Sequence, residues 1–391
     1  MHPGLGEASR PSKRRTGAGR TNNPFPCETG GPGGVTMWKR SVPAFLVLLL
    51  VSAPMLYFQA GNLVYSQAAA SSPDCSGHAE RNSPDRFSVE LWHEDVNVVT
   101  HAKNETLADD LEHLWFESWD NATIEVPNES IELAAWIMEN NASSPWVIVV
   151  HGIRSCKANH EVLIPAAWLH QAGYNVILFD MRDHGESTVE DGLVSAGQRE
   201  HRDVLAVWQW LQDTKGAQPE HIGAVGISMG AGAVSIAFEQ EPLLQSVFLE
   251  SPYSSMGNII EEELVFAGFP VFLKDAALFA GKVSSGDNLV KYEPIEAMDV
   301  VGERSVFVTH SLEDIRINTY HGELMCETAR ASVDVNGTVD CWFASSAVSH
   351  SDGDKEGVLS HITLMLTQPD AYRDRLVNFF GTSIGSPDAV V

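Results

Sequence analysis

Short apolar runs alternate with segments of helical periodicity from about residue 85 to the end of the chain. Several runs are apolar at every position, which is typical of strands buried on both faces. The runs predict eight strands, at Glu112–Trp119, Ile131–Met138, Trp146–Val150, Asn175–Phe179, His221–Ile227, Ser246–Glu250, Ser305–Thr309 and Val339–Ala344. The helical periodicity predicts helices at Ile164–Gly173, Gly197–Thr214, Met229–Glu239, Tyr320–Ser332 and Pro369–Phe380. This alternation predicts an α/β fold, with a mostly parallel eight-stranded sheet and helices on both faces.

One uncharged apolar segment, residues 42–60, has nearly the length needed to cross a bilayer. Lys39 and Arg40 precede it, and the next basic residue is Arg81. The positive-inside rule therefore puts the amino end in the cytoplasm and the large body outside. We interpret residues 37–66 as a single transmembrane anchor. A signal peptide is the open alternative, because the small residues that follow are typical of a cleavage site.

The other boundaries follow from composition. Residues 1–36 are rich in Gly, Pro, Arg and Ser, which predicts a disordered basic tail or a start assigned upstream of Met37. Residues 67–84 are rich in Ser, Ala and Pro and are expected to form a linker. The folded domain is then predicted over 85–381, with a short tail at 382–391.

The charge balance is strongly acidic. The net charge is −27 over 391 residues, and basic residues are concentrated near the amino end. So acidic a surface repels phosphate backbones, and no nucleic-acid partner is expected. We interpret the acidic residues as a solubilising or salt-adapted coat.

Two further features agree with export. Four of the five cysteines lie beyond the apolar segment, and Cys326 with Cys341 is the expected disulfide, joining a helix to the following strand; free or buried thiols are the alternative. The cysteine spacing matches no zinc site. The chain also holds N-x-S/T sequons at Asn104, Asn121, Asn128, Asn141 and Asn336.

Ser228 is the main candidate for chemistry. It lies in the sequence G-x-S-x-G over residues 226–230, between an apolar run and a helix rich in small residues. A sharp turn from strand to helix holds a serine hydroxyl clear of the sheet, where a general base can activate it. Glycines flank such a serine because larger side chains would collide across the turn.

Residues from about 105 to 381 resemble the α/β-hydrolase fold through a series of motifs in the right order. The resemblance implies that fold, with a short lid insertion between Tyr253 and Val300 that holds two small helices at Ile259–Gly268 and Pro270–Gly281. Besides the serine turn, the similar segments are Val149–Arg154, Phe179–Ser187 with Asp183 in place of a glycine, Phe248–Pro252, His310–Asp314, and His361 followed by Pro369 and Tyr372.

A nucleophilic serine also needs a histidine base and a carboxylate that orients the base. In this fold they follow in the order serine, acid, histidine. Asp314 is the expected acid because it lies just past a strand, in a turn at the carboxyl edge of the sheet. Glu313 and Glu250 stay open as alternatives.

Two histidines compete for the role of base. His361 has the proline and tyrosine spacing of the family, whereas His350 lies nearer the end of the last strand. The polar, glycine-rich segment 351–357 is typical of an inserted loop, which favours His361.

The main-chain amides of Ile153 and Met229 are expected to form the oxyanion hole, by their positions in the resembling motifs. His151 and Asp180 are interpreted as residues that hold turns. No metal and no organic cofactor is expected.

The sequence thus predicts an extracytoplasmic serine hydrolase that cleaves carboxylic esters or, as a second choice, amides. Its expected partners are a small acyl substrate and the membrane that holds the N-terminal segment; if the leader is cleaved, the protein is secreted. An acyltransferase with the same triad, a short-peptide exopeptidase and a non-catalytic adhesion or receptor module stay open as alternatives. The oligomeric state is left open.

Overall fold

Eight strands form one sheet in the computed structural model, which describes residues 34–75, 82–89, 111–346 and 361–387. Their order across the sheet is β1-β2-β4-β3-β5-β6-β7-β8. β1 is antiparallel to β2 and β2 is antiparallel to β4, whereas the other neighbours are parallel. The strands are β1 Asp120–Glu125, β2 Glu132–Met138, β3 Trp146–Val150, β4 Asn175–Phe179, β5 Ile222–Ile227, β6 Ser246–Glu250, β7 Ser305–Ser311 and β8 Thr338–Ala344. The predicted mostly parallel, eight-stranded sheet is confirmed.

Ten α-helices are present in the described part of the chain. They are α1 Gly34–Ala68, α2 His160–Gln171, α3 Glu200–Lys215, α4 Met229–Gln240, α5 Met256–Phe266, α6 Lys274–Ser284, α7 Pro294–Met298, α8 Tyr320–Ser332, α9 Leu364–Thr367 and α10 Pro369–Ser383. The lid between β6 and β7 contains α5 and α6, as expected from the resemblance, and a short 3-10 turn at Val271–Leu273 joins them.

The core has two apolar layers, one on each face of the sheet. Strand β3 contributes Ile148 to the layer that includes helices α3, α4 and α8, and Val149 to the layer that includes α2 and α10. Because successive strand residues point to opposite faces, a strand covered on both sides is apolar at most of its positions. Every residue of β3, β4, β5 and β6 is buried.

One predicted strand is wrong. Glu112–Trp119 forms no strand; the segment contains a 3-10 turn at Glu112–Leu114, and the edge strand β1 follows at Asp120–Glu125. Pairing with β2 holds β1 in place, and only Ile124 of β1 is buried. An edge strand with so little apolar burial has no clear alternation in its sequence, whereas the aromatic residues before it imitate one.

Helix α1 includes Phe45–Ala68, a mostly exposed stretch that is long and apolar enough to cross a membrane by length and composition. The chain divides into two compact units, Met1–Ala53 and Pro54–Val391. Within the second unit, the segment after α1 contacts the domain: Ala70 pairs with Leu193 through an isolated β-bridge.

The described residues form two disulfides. Cys326 in α8 is bonded to Cys341 in β8, which is the expected pair. The second bond joins Cys75 to Cys156 and so attaches the segment after α1 to the loop before α2. Cys27 lies outside the described residues.

Replacing both Cys326 and Cys341 by serine should lower the free energy of unfolding. The bond joins two cysteines that are 15 residues apart. A cross-link over a loop of that length raises the free energy of the unfolded chain by about 3 kcal/mol. Denaturant unfolding of the oxidised wild type and of the double variant measures the difference. Equal midpoints and slopes would contradict the prediction.

Candidate active site

The backbone turns sharply at Ser228, between strand β5 and helix α4. Ser228 has φ 54° and ψ −116°, a conformation that non-glycine residues seldom adopt. A Cβ on Gly226 would lie 2.6 Å from the Cα of Ala231, and a Cβ on Gly230 would lie 2.4 Å from the carbonyl oxygen of His151. The two glycines flanking Ser228 are therefore required by close backbone contacts.

Ser228, His361 and Asp314 form a continuous chain of hydrogen bonds. The Ser228 Oγ lies 2.9 Å from His361 Nε2, and His361 Nδ1 lies 2.7 Å from Asp314 Oδ2. The carboxylate can only accept, so Nδ1 carries the proton and Nε2 accepts from the serine hydroxyl. Parallel strands β5 and β7 bring Ser228 and Asp314 to the same edge of the sheet, and His361 precedes α9.

The carboxylate of Asp314 is buried and held from several directions. Its Oδ1 accepts hydrogen bonds from the amides of Arg316 and Ile317, at 2.9 and 3.0 Å. Its Oδ2 also lies 3.1 Å from Nε2 of His310. Burial raises the pKa of Asp314, but the charges and hydrogen bonds of His361 and His310 outweigh it and hold the pKa below its usual value. Asp314 is therefore ionised at neutral pH.

The alternative acids lie in different surroundings. The Glu313 carboxylate accepts a 2.7 Å hydrogen bond from the amide of Ser346 and another from Ser345. Glu250 is fully buried, and burial raises its pKa well above the ordinary value of 4.5, with a further increase from the charge of Asp314. The structure thus joins Asp314, and neither alternative, to His361. His350, the alternative base, lies outside the described residues.

The loop after β3 lies against the serine. A Cβ on Gly152 would be 3.3 Å from the Cβ of Ser228, which places the neighbouring Ile153 at the site. The Ile153 amide donates to no other residue in the described part of the chain. Met229 is the first residue of α4, where amides lack an intrahelical acceptor and the helix dipole favours negative charge.

The polar residues around this loop hold its turns. His151 donates from Nδ1 to the carbonyl of Gly152 and accepts at Nε2 from the amide of Met181. Asp180 accepts from the backbone amide and from the buried ammonium group of Lys157, at 2.7 and 2.6 Å. These contacts agree with the structural roles expected for His151 and Asp180.

Asp183 stands where the resembling family has a glycine, and the structure explains the exchange. Its φ is 62°, a left-handed conformation that aspartate tolerates better than most residues. Its Oδ1 accepts hydrogen bonds from the amides of Glu190, Asp191 and Gly192. The side chain thus organises the following loop, which a glycine could not do.

Two residues at the site were not predicted from the sequence. His310 contacts Asp314, and it also donates from Nε2 to the carbonyl of Ile317 at 2.9 Å. Its position in the sequence, at the end of β7 and four residues before Asp314, could have indicated that it lies near the acid. Glu161 lies near His361 on the first turn of α2, and burial raises its pKa; only a structure reveals this proximity.

Metal ligands are a separate question. Within the described ranges, no group of three or more His, Cys, Asp or Glu side chains is arranged to hold a metal ion.

Known proteins resemble parts of this chain. A family model described as serine aminopeptidase, S33 matches residues 142–285. An uncharacterised 31.7 kDa protein of Escherichia coli is 30% identical over 140 residues, which cover 35% of this chain and 47% of that protein. Lysophosphatidylserine lipase ABHD12 of Xenopus tropicalis is 29% identical over 167 residues, 39% of this chain and 40% of the lipase. The matches thus span less than half the length of either relative.

Solved structures resemble a larger part of the chain. An esterase of Pyrococcus furiosus, Pf2001, superposes with a TM-score of 0.54 at 19% identity, covering 72% of this chain and 98% of the esterase. The α/β hydrolase GrgF of a Penicillium species gives a TM-score of 0.52 at 13% identity, covering 68% of this chain and 99% of the hydrolase. At such identities the likeness concerns the fold.

Replacing Glu250 by glutamine should make stability less dependent on pH. The native pKa is raised, so the native carboxyl stays protonated while the unfolded one ionises above its ordinary value of 4.5. Wild-type stability is then lost as pH rises from that value toward the native pKa, by at most about 1.4 kcal/mol per pH unit. Chemical unfolding at a series of pH values from about 4 upward measures the effect. The difference between variant and wild type should grow with pH in favour of the variant.

The exposed Glu220 supplies the control, as Glu220→Gln. A pH-independent difference for Glu250→Gln, like that of the control, would contradict the raised pKa.

Proposed function

We propose that this chain, which has the α/β-hydrolase fold, is a serine hydrolase that cleaves carboxylic ester bonds through an acyl-enzyme on Ser228. The observation that carries the proposal is the hydrogen-bond chain from Ser228 through His361 to Asp314, at 2.9 and 2.7 Å. These distances lie within the reach that proton transfer to a general base requires. The ionised, fully bonded carboxylate fixes the tautomer that the chemistry needs.

The reaction has two stages. The Ser228 oxygen attacks the acyl carbon while His361 Nε2 takes the hydroxyl proton, and the same proton then passes to the departing alcohol as the ester bond breaks. Water next attacks the acyl-enzyme, gives a proton to His361 and releases the acid, and the proton returns to Ser228. Asp314 stays ionised throughout and stabilises the imidazolium that forms in each stage.

The amides of Ile153 and Met229 supply the oxyanion hole. The tetrahedral intermediate carries negative charge on the former carbonyl oxygen, and fixed amides need no reorganisation as this charge develops. The close approach of Gly152 to Ser228 supports this role for the Ile153 amide, and the position of Met229 at the start of α4 supports the second donor.

Amide hydrolysis is the second candidate, favoured by the serine aminopeptidase model that matches residues 142–285. Esters rank first because two relatives, Lysophosphatidylserine lipase ABHD12 and Thiohydrolase aneE of Aspergillus aculeatus, have names of ester-type hydrolases. The thiohydrolase is 28% identical over 147 residues, which cover 34% of this chain and 45% of that protein. A panel of chromogenic esters and aminoacyl amides separates the two candidates.

The domain acts outside the cytoplasm, anchored by α1 or secreted if the leader is cleaved. Two disulfides support this location, since such bonds persist in oxidising compartments. The apolar stretch Phe45–Ala68 supports the anchor.

Ser228→Ala should abolish labelling by a fluorophosphonate probe and reduce ester hydrolysis to background, because no other group in the proposed site forms the acyl-enzyme. His361→Ala should reduce both as well, whereas the matched variant His350→Ala should label like the wild type. Gel fluorescence after probe treatment and initial rates measure this. Labelling that persists in Ser228→Ala, or is lost only in His350→Ala, would reject these assignments.

Asp314→Asn should lower kcat by up to about 10⁴-fold, because an amide no longer stabilises the correct tautomer and charge of His361. The neighbouring Glu313→Gln is the control, since Glu313 bonds Ser345 and Ser346 instead. Steady-state kinetics and thermal unfolding of both variants separate catalysis from folding. A larger loss of kcat in Glu313→Gln than in Asp314→Asn would overturn the choice of acid.

A further inference from the structure

The lid carries an exposed apolar turn. Residues 265–272, Val-Phe-Ala-Gly-Phe-Pro-Val-Phe, contain no charged side chain and join α5 to α6. Val265 is 64% exposed and Phe272 is 68% exposed, and Phe279 on α6 is 57% exposed. We call residues 265–272 the lid turn. Isolated apolar residues are ordinary on a surface, but a continuous exposed group marks a surface that binds a partner or a membrane.

The last turns of the apolar helix α1 are packed against this same lid, within the unit Pro54–Val391. The hydroxyl of Tyr57 donates a 2.7 Å hydrogen bond to the carbonyl of Phe272, and the two rings are stacked at 6.4 Å. Phe58 meets Phe279 edge to face at 5.8 Å. These contacts hold the lid turn beside Tyr57 of α1.

Close packing continues along the helix. A Cβ on Gly61 would lie 2.6 Å from the Cβ of Ala276, so α1 and α6 touch without a gap. Further along, Asn62 bonds Ser284, and Tyr65 bonds Ser285, each at 2.7 Å. Polar contacts thus replace aromatic ones as the helix runs toward the domain, as expected where a helix leaves the apolar part of a bilayer.

Both elements border the proposed site. Glu263 of α5 forms an ion pair with Arg316, two residues past Asp314, and the Arg316 guanidinium lies 5.6 Å from the ring of Phe266. Arg154, next to Ile153, donates to the carbonyl of Gln67 at 2.7 Å, at the end of α1. The apolar lid surface and the site therefore share one edge of the domain.

We propose that the lid turn inserts into the membrane leaflet that α1 enters, so that the site opens at the membrane surface. The occupant of the apolar surface is the bilayer, because the lid turn lies beside Tyr57, and Tyr57 belongs to the uncharged apolar segment 42–60. A second consequence rests on the proposed function: the substrate is a membrane-resident ester with a long acyl chain, which reaches Ser228 without crossing water.

Environment-sensitive labelling of the full chain tests insertion independently of activity. Cys27→Ser removes the one cysteine outside the two disulfides, and Phe272→Cys or Val335→Cys then supplies a single thiol for a nitrobenzoxadiazole label. Val335 is 96% exposed, far from α1 in sequence, and serves as the matched control. Both labelled proteins are reconstituted into phosphatidylcholine vesicles with and without nitroxide-bearing lipids.

The label at residue 272 should show blue-shifted emission that nitroxide lipids quench, and the label at 335 should show neither. Equal quenching at the two positions would overturn the proposal. A blue shift at 272 without lipid quenching would overturn it as well, because the label would then be shielded by protein and not by lipid.

Hydrolysis by the reconstituted full chain tests the substrate class. Val265→Asp combined with Phe272→Asp should slow hydrolysis of vesicle-borne monooleoylglycerol about tenfold or more, since charged groups resist the bilayer. Hydrolysis of water-soluble p-nitrophenyl acetate should stay at the wild-type rate, as should both activities of Val335→Asp. Equal loss on both esters, or none, would overturn the substrate class. A wild-type protein that hydrolyses neither ester would instead refute the proposed function. The fluorescence experiment would still test membrane insertion of the lid turn independently.

Discussion

The reversal of the chain at one residue, from strand β5 into helix α4, is the constraint on which the rest of the site depends. Ser228 makes this turn with a positive φ, which is unfavourable for serine. The surrounding sheet and helix hold the residue in that conformation. The turn brings the hydroxyl to the carboxyl edge of the sheet and starts α4 directly behind it. A side chain at position 226 would collide with Ala231 of α4, and one at position 230 would collide with the carbonyl of His151, so either would displace α4 and move the hydroxyl away from its partners.

Two carboxyl groups at this edge of the sheet differ in protonation because their hydrogen-bond partners differ. Glu250 ends β6 and Asp314 follows the neighbouring strand β7; both are buried, yet their pKa values shift in opposite directions. Two backbone amides and two histidines surround Asp314, which favours the ionised form. Glu250 has no such set of donors, so desolvation dominates and the proton stays. The site thus keeps one negative charge where a second would repel it.

Much of the fold was predictable because its central strands are covered on both faces. Full burial leaves a continuous apolar run, and three strands therefore came out with correct bounds: Trp146–Val150, Asn175–Phe179 and Ser246–Glu250. Strand β1 was missed because pairing with β2, and not burial, holds it. A contact between residues distant in sequence leaves no periodic signal.

The same division applies to the site. Ser228 and Asp314 were predicted from turn chemistry and a strand end, and His361 was predicted from the proline and tyrosine spacing of the resembling family. The structure brings the three side chains together. His310 and Glu161 were not found, because their importance lies in where neighbouring elements place them. The bond between Cys75 and Cys156 was missed for the same reason: 81 residues separate its ends.

Arg154 donates hydrogen bonds to the carbonyls of Gln67, Ala68 and Ala70, and so joins the end of α1 to the loop that carries Ile153. If a protease cut between Gln67 and Ala68, the bond between Cys75 and Cys156 would keep the new end attached, while Arg154 would lose the Gln67 carbonyl. Ile153, the adjacent residue, would then sit on a loosened loop. Under the proposed function, release of the domain from its anchor would therefore also change the position of the Ile153 amide that faces the oxyanion.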